Sequence, residues 1–345
     1  MLKNVLAGLT LSFVSIVLVL LVCEVLVRFA YPTLRPSNHY DWSARHKGYS
    51  LPRTPNTFRI VVLGDSYTFG QGVEKDSTFP AVLEKLLNGM GANVKFEVVN
   101  LGFCGLNTMT EVQLLAEYGI HPDTWSPDAN YRGLAYQPDL VILEYTLNDS
   151  STSWREPGQV KSFDDRFRNG VVVLRVNSGA YSLPLPDRVD KFLTMHSRLY
   201  LALFSGYNQL LGILGLREAG KGAIESTLSR YDEKFQGWKW MNQALQQLSA
   251  IGKYTNTPVV MAIYPDMVSL SSYPFVSAHQ KVKSKAESYG IPTLDLLPYF
   301  TGRNERDLIA TPFDAHPNAK AHAIAARAIF DYLNSNRFFI GVRGR

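Results

Sequence analysis

The sequence predicts an α/β fold with a mainly parallel sheet joined by right-handed crossovers. Short apolar runs of strand length alternate along the chain with segments of helical periodicity. The run "LVILEY" at 140–145 is almost continuously apolar, which is typical of parallel strands covered on both faces. Because ligands of such sheets bind beyond the carboxyl ends of the strands, we expect functional residues in the loops that follow them.

The individual elements follow from local periodicity. In "FPAVLEKLLN" at 79–88, for example, Val82, Leu83, Leu86 and Leu87 have helical spacing. The predicted order is strand 59–63, helix 79–88, strand 94–102, helix 108–118, strand 140–145, helix 236–251, strand 258–265, helix 275–288, strand 292–296 and an Ala-rich helix at about 319–335.

The chain of 345 residues is long enough for one large domain with insertions or for two smaller domains. We predict a transmembrane anchor at 1–28, a connector at 29–56, a main α/β domain at 57–335 and a tail at 336–345. An insertion at about 158–230 interrupts the alternation of predicted strands and helices in the domain. Its apolar stretch at 197–215 is predicted to be a helical insertion or a cap.

The N-terminus carries an apolar run. Residues 5–22 contain no charge and are long enough to span a bilayer, whereas a cleaved signal peptide usually has a shorter apolar core. An uncleaved anchor is therefore favoured over a signal peptide. Lipidation of Cys23 is not predicted, because Val22 precedes it where a lipidation signal needs a small residue. The orientation in the membrane is not fixed by the positive charges, because Lys3 lies on one side of the apolar run and Arg28 and Arg35 lie on the other.

Composition excludes several classes of function. The 35 Lys and Arg residues give a net charge of +5, but they are scattered and form no nucleic-acid patch. The two cysteines, Cys23 and Cys104, cannot form a disulfide framework. His316 and His322 lie six residues apart across a helix start and do not share a face, so no metal site is predicted.

The first of four notable segments is "IVVLGDSYTFG" at 60–70, where Ser66 follows a strand directly. A serine is a weak nucleophile and needs a base within hydrogen-bond reach. The α/β-hydrolase pattern G-x-S-x-G is not matched, because Thr68 stands two residues after Ser66. Asp65 is expected to fix the turn before Ser66 by local hydrogen bonds rather than to act in catalysis.

Two further segments end strands in the same way. In "VVNLGFCGLNT" at 98–108, glycines allow backbone N–H groups to point into a site, although an ordinary turn has the same composition. In "LEYTLNDS" at 143–150, the amide of Asn148 could donate to a developing oxyanion. Asn148, Asp149 and Ser150 also match a glycosylation pattern, which we interpret as accidental at the end of a central strand.

The fourth segment is "TPFDAHPNAKAHAIAARAIF" at 311–330. His316 can serve as the base for Ser66, and Asp314 can hold its tautomer and stabilise the imidazolium. His322 is interpreted as a residue that packs its helix. Four loops at one sheet edge thus supply a nucleophile, a base, an acid and oxyanion donors.

These four segments resemble, in order, the four blocks of the SGNH hydrolases of the GDSL type. The G-D-S of Gly64, Asp65 and Ser66 matches the first block, Gly105 the second, Asn148 with Asp149 the third, and His316 the last. The resemblance covers roughly 57–157 and 231–335. It implies a three-layer, flavodoxin-like α/β/α domain with Ser66 as nucleophile and an oxyanion hole from Ser66, Gly105 and Asn148.

Two positions depart from the family pattern. The third block usually has Gly two residues before its Asn, where this chain has Thr146. The acid usually lies three residues before the histidine, but that position is Phe313, and Asp314 lies two before. The third triad member is therefore either Asp314 or a backbone carbonyl.

The expected function is ester hydrolysis through an acyl-enzyme on Ser66, with no metal or organic cofactor. The expected substrates are acylated glycans, lipids or small molecules, and the resemblance implies a membrane-anchored domain outside the cytoplasm, in the periplasm. Trp154, Arg155 and the insertion are predicted to shape the pocket. The alternatives are an O-acyltransferase of exported polysaccharide, which exclusion of water by the insertion would favour, and a catalytically inactive binding module of an envelope complex.

Overall fold

The computed structural model describes residues 2–31, 48–117, 119–120, 127–150, 189, 192–193, 196–213, 221–311 and 314–339. The chain divides into two compact units. The first comprises Met1–Tyr40 with Val172–Arg217, and the second comprises Asp41–Val171 with Glu218–Arg345. Trp154, Arg155 and residues 158–188 of the insertion, which were expected near the pocket, lie outside the described residues.

The second unit contains the predicted sheet. Its described strands are β1 Thr57–Gly64, β2 Lys95–Gly102, β3 Gly119–Ile120, β4 Pro127–Asp128, β5 Leu140–Tyr145, β6 Val259–Ile263, β7 Thr293–Asp295, β8 Ile309–Thr311 and β9 Asp314–Pro317. Five of them pair in parallel in the order β2-β1-β5-β6-β7. β3 pairs with β4, and β8 with β9, as short antiparallel ribbons. The predicted α/β fold with a mainly parallel sheet is confirmed.

The described α-helices are α1 Leu2–Ala30, α2 Ser66–Phe69, α3 Phe79–Asn88, α4 Thr108–Ala116, α5 Arg198–Ile213, α6 Lys221–Ser229, α7 Gln236–Thr255, α8 Val276–Ser288, α9 Leu297–Phe300 and α10 Ala319–Ser335. Short 3₁₀ turns lie at Lys75–Ser77, Ala129–Tyr131, Gly133–Tyr136, Leu147–Ser150 and Glu305–Asp307. The helices at 79–88 and 319–335 have the predicted bounds. α7 continues four residues beyond the predicted end and stops at Asn256, a left-handed C-cap with φ 52°.

Two hydrophobic cores cover the two faces of the sheet. Because side chains alternate along a strand, Ile60 and Val62 of β1 enter one core, and Val61 and Leu63 enter the other. α3 and α10 close the first core, whereas α4, α7 and α8 close the second. The second unit is therefore a three-layer α/β/α sandwich, as the resemblance implied.

The first unit contains α1 and α5. In the described part of the chain, one helix is long and apolar enough to cross a membrane, Gly8–Ala30, with a mean hydropathy of 2.7. Length and composition alone also admit a signal sequence. α5 is helical over Arg198–Ile213, within the stretch predicted to be a helical insertion or a cap, and it belongs to the same unit as α1. Residues 214 and 215 of that stretch lie outside the described residues.

Candidate active site

Ser66 stands at the end of β1 because of the residues around it. A Cβ on Gly64 would collide with the hydroxyl of Thr68, so glycine lets the strand turn sharply. Asp65 then caps α2, its Oδ1 accepting the N–H of Tyr67 at 2.8 Å. The helix stops after one turn at Gly70, which has φ 80°. Ser66 is thereby held as the first helical residue and is only 6% exposed.

A line of hydrogen bonds connects Ser66, His316 and Asp314. The Oγ of Ser66 lies 2.9 Å from Nε2 of His316, and Nδ1 of His316 lies 2.5 Å from Oδ1 of Asp314. The backbone N–H of His316 also donates to Oδ1 of Asp314 at 3.1 Å. Both residues belong to β9, where residues two apart point to the same side of the strand. The D-x-H spacing therefore places the carboxylate against the ring.

The electrostatics of the pair follow from its surroundings. Burial lowers the pKa of His316, but the carboxylates of Asp314, Asp65 and Asp266 outweigh that effect and hold the pKa above its ordinary value. Burial raises the pKa of Asp314, yet the charge and hydrogen bonds of His316 bring it below its ordinary value. Asp314 is thus ionised at neutral pH and stabilises a proton on His316.

Gln71 was missed by the sequence analysis. Its side chain hydrogen-bonds the carboxylate of Asp314, and its Oε1 accepts from Sγ of Cys104 at 3.3 Å. A Cβ on the adjacent Gly72 would lie 2.6 Å from Cβ of Ala310 in β8, so the loop after α2 packs closely on the β8–β9 ribbon. Gln71 therefore joins the loops that carry Ser66, Cys104 and His316, and no local pattern in the sequence indicates this.

Gly105 lies in the loop beyond β2, at the same edge of the sheet as Ser66. β1 and β2 end in register, Gly64 opposite Gly102, and the N–H of Phe103 donates to the carbonyl of Gly64 at 3.1 Å. Gly105 has φ 74°, a left-handed conformation that favours glycine. The second segment is thus a tight turn fixed to the end of β1.

The side-chain amide of Asn148 forms hydrogen bonds through both its nitrogen and its oxygen. Its Nδ2 donates to Oδ2 of Asp65 at 2.8 Å, and the hydroxyl of Thr146 hydrogen-bonds its Oδ1. The hydroxyl of Thr146 also lies 3.2 Å from Oδ2 of Asp65. An amide nitrogen carries two hydrogens, and Asp65 takes one of them. The second hydrogen remains for another acceptor, in an orientation that Asp65 and Thr146 determine.

A cluster of buried carboxyl groups lies behind these loops. Asp65, Glu111, Glu144 and Asp149 are all at most 3% exposed, and they interact electrostatically with one another. Oε2 of Glu144 accepts from Thr68 at 2.8 Å, whereas both carboxyl oxygens of Glu111 lack a partner within the described part of the chain. Burial, and then the neighbouring carboxylates, raise the pKa of Glu111 well above its ordinary value. The folded chain therefore favours the protonated form of Glu111 more strongly than the unfolded chain does.

Glu111→Gln is expected to stabilise the protein at alkaline pH. In the unfolded chain Glu111 ionises at its ordinary pKa, whereas in the folded chain its pKa is raised and ionisation is disfavoured. Stability is therefore lost as pH rises above the unfolded pKa, by up to about 1.4 kcal/mol per pH unit until the folded pKa is reached. Thermal unfolding of the two proteins at pH 5 and pH 8 should show the variant gaining stability at the higher pH. An equal difference at both pH values would contradict the assignment.

His322, which the sequence analysis interpreted as a packing residue, contacts the start of α3. Nδ1 of His322 accepts the N–H of Phe79 at 3.1 Å, and its ring stacks on that of Phe79. His322 thus packs α10 against the start of α3. In the described ranges, no group of three or more His, Cys, Asp or Glu residues could hold a metal ion.

Comparison with known proteins gives three findings. The model of the GDSL-like lipase/acylhydrolase family matches residues 62–324. No functionally curated protein matches the chain. Several solved structures are similar to it at low identity.

One of these structures is a two-domain esterase active on acetylated mannans, co-crystallised with mannopentaose, at 14% identity and a TM-score of 0.43. The match covers 81% of this chain and 49% of that chain, so this chain spans about half the length of that esterase. The acetyl xylan esterase AlAXEase is 12% identical, with coverages of 80% and 100% and a TM-score of 0.42. A lipase/acylhydrolase from Enterococcus faecalis is 12% identical, with coverages of 81% and 96% and a TM-score of 0.41.

Proposed function

The chain belongs to the GDSL-like lipase/acylhydrolase family, a family of ester-bond hydrolases, and from this premise we propose that it cleaves esters through an acyl-enzyme on Ser66. The observation that carries the proposal is the hydrogen-bonded line from Ser66 through His316 to Asp314, with distances of 2.9 and 2.5 Å. Nucleophile, base and acid are in the order that activates a serine.

The first step is transfer of the Ser66 proton to Nε2 of His316. The transfer requires neutral His316 with its remaining proton on Nδ1, and Asp314 favours that tautomer by accepting the Nδ1–H. The serine oxygen then attacks the carbonyl carbon of the ester, and the carbonyl oxygen becomes an oxyanion. Asp314 stabilises the imidazolium that forms on His316.

Three donors are proposed for the oxyanion. The N–H of Ser66 is the first of α2, where N–H groups have no acceptor within the helix. The N–H of Gly105 comes from the neighbouring loop, and the second N–H of Asn148 is the one that Asp65 does not take. Each donor of this kind contributes roughly 3 kcal/mol to stabilising the transition state.

The second half of the reaction uses the same groups in reverse. Imidazolium His316 donates its proton to the leaving alcohol, and the carbonyl re-forms as the acyl-enzyme. A water molecule then gives a proton to Nε2 of His316 and attacks the acyl carbonyl. When the second oxyanion collapses, the acid leaves and Ser66 recovers its proton from His316.

Thr146→Val is expected to lower kcat for ester hydrolysis about three- to tenfold while leaving KM nearly unchanged. Valine keeps the shape of threonine but cannot bond Oδ1 of Asn148, and one lost hydrogen bond corresponds to about 0.5–1.5 kcal/mol. Thr146→Ser retains the hydroxyl and should keep most of the activity. A valine variant with the kcat of the wild type would show that Thr146 does not orient Asn148.

The proposed substrates are esters of small acyl groups, such as acetyl, on carbohydrate or lipid. Ser66 is almost buried, which supports a small acyl group rather than a bulky one. Transfer of the acyl group to a sugar hydroxyl would use the same acyl-enzyme, and addition of free glycan to the assay distinguishes transfer from hydrolysis. The alignment of Ser66 with His316 supports catalysis over an inactive binding role.

We place the protein at a membrane, with α1 as a single-pass anchor and the second unit outside the cytoplasm. The apolar composition of Gly8–Ala30 supports the anchor. The mass of the mature protein tests it, because cleavage of a signal peptide would remove α1.

Labelling by a serine-reactive phosphonate tests the acyl-enzyme. The full-length chain in detergent should acquire one adduct, which peptide mass spectrometry locates on Ser66. The matched control is Ser150→Ala, since Ser150 is a buried serine at the end of β5 whose hydroxyl donates to the carbonyl of Leu147. This control should label normally, whereas Ser66→Ala should not label. A folded wild-type protein without an adduct would overturn the proposal.

A further inference from the structure

Glu24 is the only charged residue between Lys3 and Arg28, and it lies towards the C-terminal end of this largely apolar stretch. A carboxylate in a membrane-spanning segment is costly unless partners satisfy it. In the structure its Oε2 accepts from Ser197 Oγ at 2.7 Å and from the N–H of Leu199 at 2.9 Å. Its Oε1 accepts the N–H of Arg198 at 3.0 Å. Glu24 thus bonds the first N–H groups of α5, the position that an N-cap side chain normally takes.

Arg28 extends this connection between the two helices. Its Nε donates to Oε1 of Glu24 at 2.6 Å, and its Nη2 donates to the carbonyl of His196 at 2.8 Å. In return, Nη1 of Arg198 donates to the carbonyl of Arg28 at 3.1 Å. Backbone groups of both helices therefore form these hydrogen bonds, which hold the start of α5 against the end of α1.

The described hydrogen bonds between α5 and α1 lie near the C-terminal end of α1, at Glu24 and Arg28. Between positions 8 and 31, the half-buried residues are Cys23, Glu24, Val27 and Tyr31. They lie on one face of the last turns, and the preceding apolar residues are open for contact with lipid. A span of 23 residues is about 35 Å long, slightly more than the hydrocarbon core. α5 consequently meets α1 where the hydrocarbon gives way to headgroups.

The composition of α5 suits this depth. The 18 residues from 199 to 216 contain no charged side chain. Leu199, Leu203 and Tyr207 follow one another at four-residue intervals on one face, and Leu203 is 57% and Tyr207 37% exposed. A helix with an exposed apolar face fits the boundary between headgroups and acyl chains.

We propose that α5 lies in the surface of the same bilayer that α1 spans, with Leu203 and Tyr207 towards the acyl chains. The hydrogen bonds of Glu24 hold α5 against α1, so the two helices associate with the membrane together. It follows that α1 is kept in the mature protein, because its removal would take away the acceptor of the first N–H groups of α5. This inference does not depend on the ester chemistry.

The test uses an environment-sensitive NBD probe on full-length protein in phosphatidylcholine vesicles. The probe is attached at Leu203→Cys, in a background in which Cys23 and Cys104 are replaced by serine. Tyr254→Cys is the matched control, because Tyr254 is a 93% exposed aromatic residue of α7 in the second unit. Lipid with a doxyl quencher near the headgroup should quench the Leu203 probe at least about twofold more than the Tyr254 probe.

Three results would overturn the proposal. The first is a Leu203 probe that aqueous iodide quenches as freely as the Tyr254 probe. The second is a probe shielded from iodide but not quenched by doxyl lipid, which would mean that protein covers α5. The third is a mature chain that lacks Glu24.

Glu24→Leu tests whether the hydrogen bonds of Glu24 hold α5 at the membrane surface. It should lower doxyl quenching at Leu203 about twofold or more while the chain remains in the membrane fraction. Near-UV circular dichroism matching that of the wild type reports, without reference to the ester chemistry, that the second unit is folded. Unchanged quenching in a folded Glu24→Leu protein would show that Glu24 does not hold α5.

Discussion

Ser66→Ala is expected to lower turnover of an ester such as p-nitrophenyl acetate by about 10⁴-fold or more. Alanine removes the Oγ atom that is proposed to attack the ester carbonyl, and a nucleophile and base that act as a unit lose their effect together. His316→Ala should therefore cost nearly as much, and the double variant should be no slower than either single one. Initial rates on purified full-length protein, with active sites counted by phosphonate titration of the wild type, give the comparison.

Ser150→Ala is the appropriate control for this experiment. It removes a buried hydroxyl from the turn that carries Asn148 but leaves Ser66 and His316 untouched. It should retain nearly full turnover. If the Ser66 variant retained the activity of the wild type, the measured hydrolysis would arise elsewhere and the acyl-enzyme would have to be abandoned. Additive losses in the double variant would show that Ser66 and His316 act separately.

The sheet was predictable because its strands are locally encoded. The run "LVILEY" became β5, Leu140–Tyr145, with the predicted bounds, and every residue in it is buried. The strands before Ser66 and after Val94 likewise have enough consecutive apolar residues to be recognised. Since parallel strands end at one edge, their loops could be assigned to a common site before any contact was known.

Features that depend on distant partners could not be predicted. Arg59 in β1 is fully buried, where it pairs with Glu97 at 2.6 Å and donates to the carbonyl of Tyr136 at 2.8 Å. The sequence gives no sign that a charge in this strand is internal. The same holds for the carboxyl groups of Glu111 and Glu144, since an acidic residue in a helix or strand normally lies at the surface.

The two departures from the family pattern also needed the structure for their interpretation. Thr146 stands where the family pattern has glycine, and in the structure its hydroxyl bonds the amide of Asn148. Asp314 looked displaced by one residue, yet β9 points Asp314 and His316 the same way. In both cases the spacing along the chain was known from the sequence. The backbone conformation, which decides whether the two side chains meet, was not.

Asp314→Asn is expected to lower kcat/KM about 10³- to 10⁴-fold. An asparagine amide can donate to Nδ1 of His316, which moves the ring proton to Nε2, the atom that must accept from Ser66. Loss of the carboxylate also lowers the pKa of His316, which Asp314 normally helps to raise. The acidic limb of the pH profile, which the titration of His316 sets, should therefore shift to lower pH in the variant.

The chain offers a matched control for this last change. His279 and Asp295 form a second His–Asp pair, with 2.9 Å between Nδ1 and Oδ1, and neither residue contacts Ser66 through a described hydrogen bond. Asp295→Asn should leave kcat/KM and the pH profile unchanged even if it costs stability. A backbone carbonyl serving as the third member would predict a different result for Asp314→Asn, namely a small loss of rate and an unshifted acidic limb. The size of the loss and the direction of the shift together decide which group orients His316.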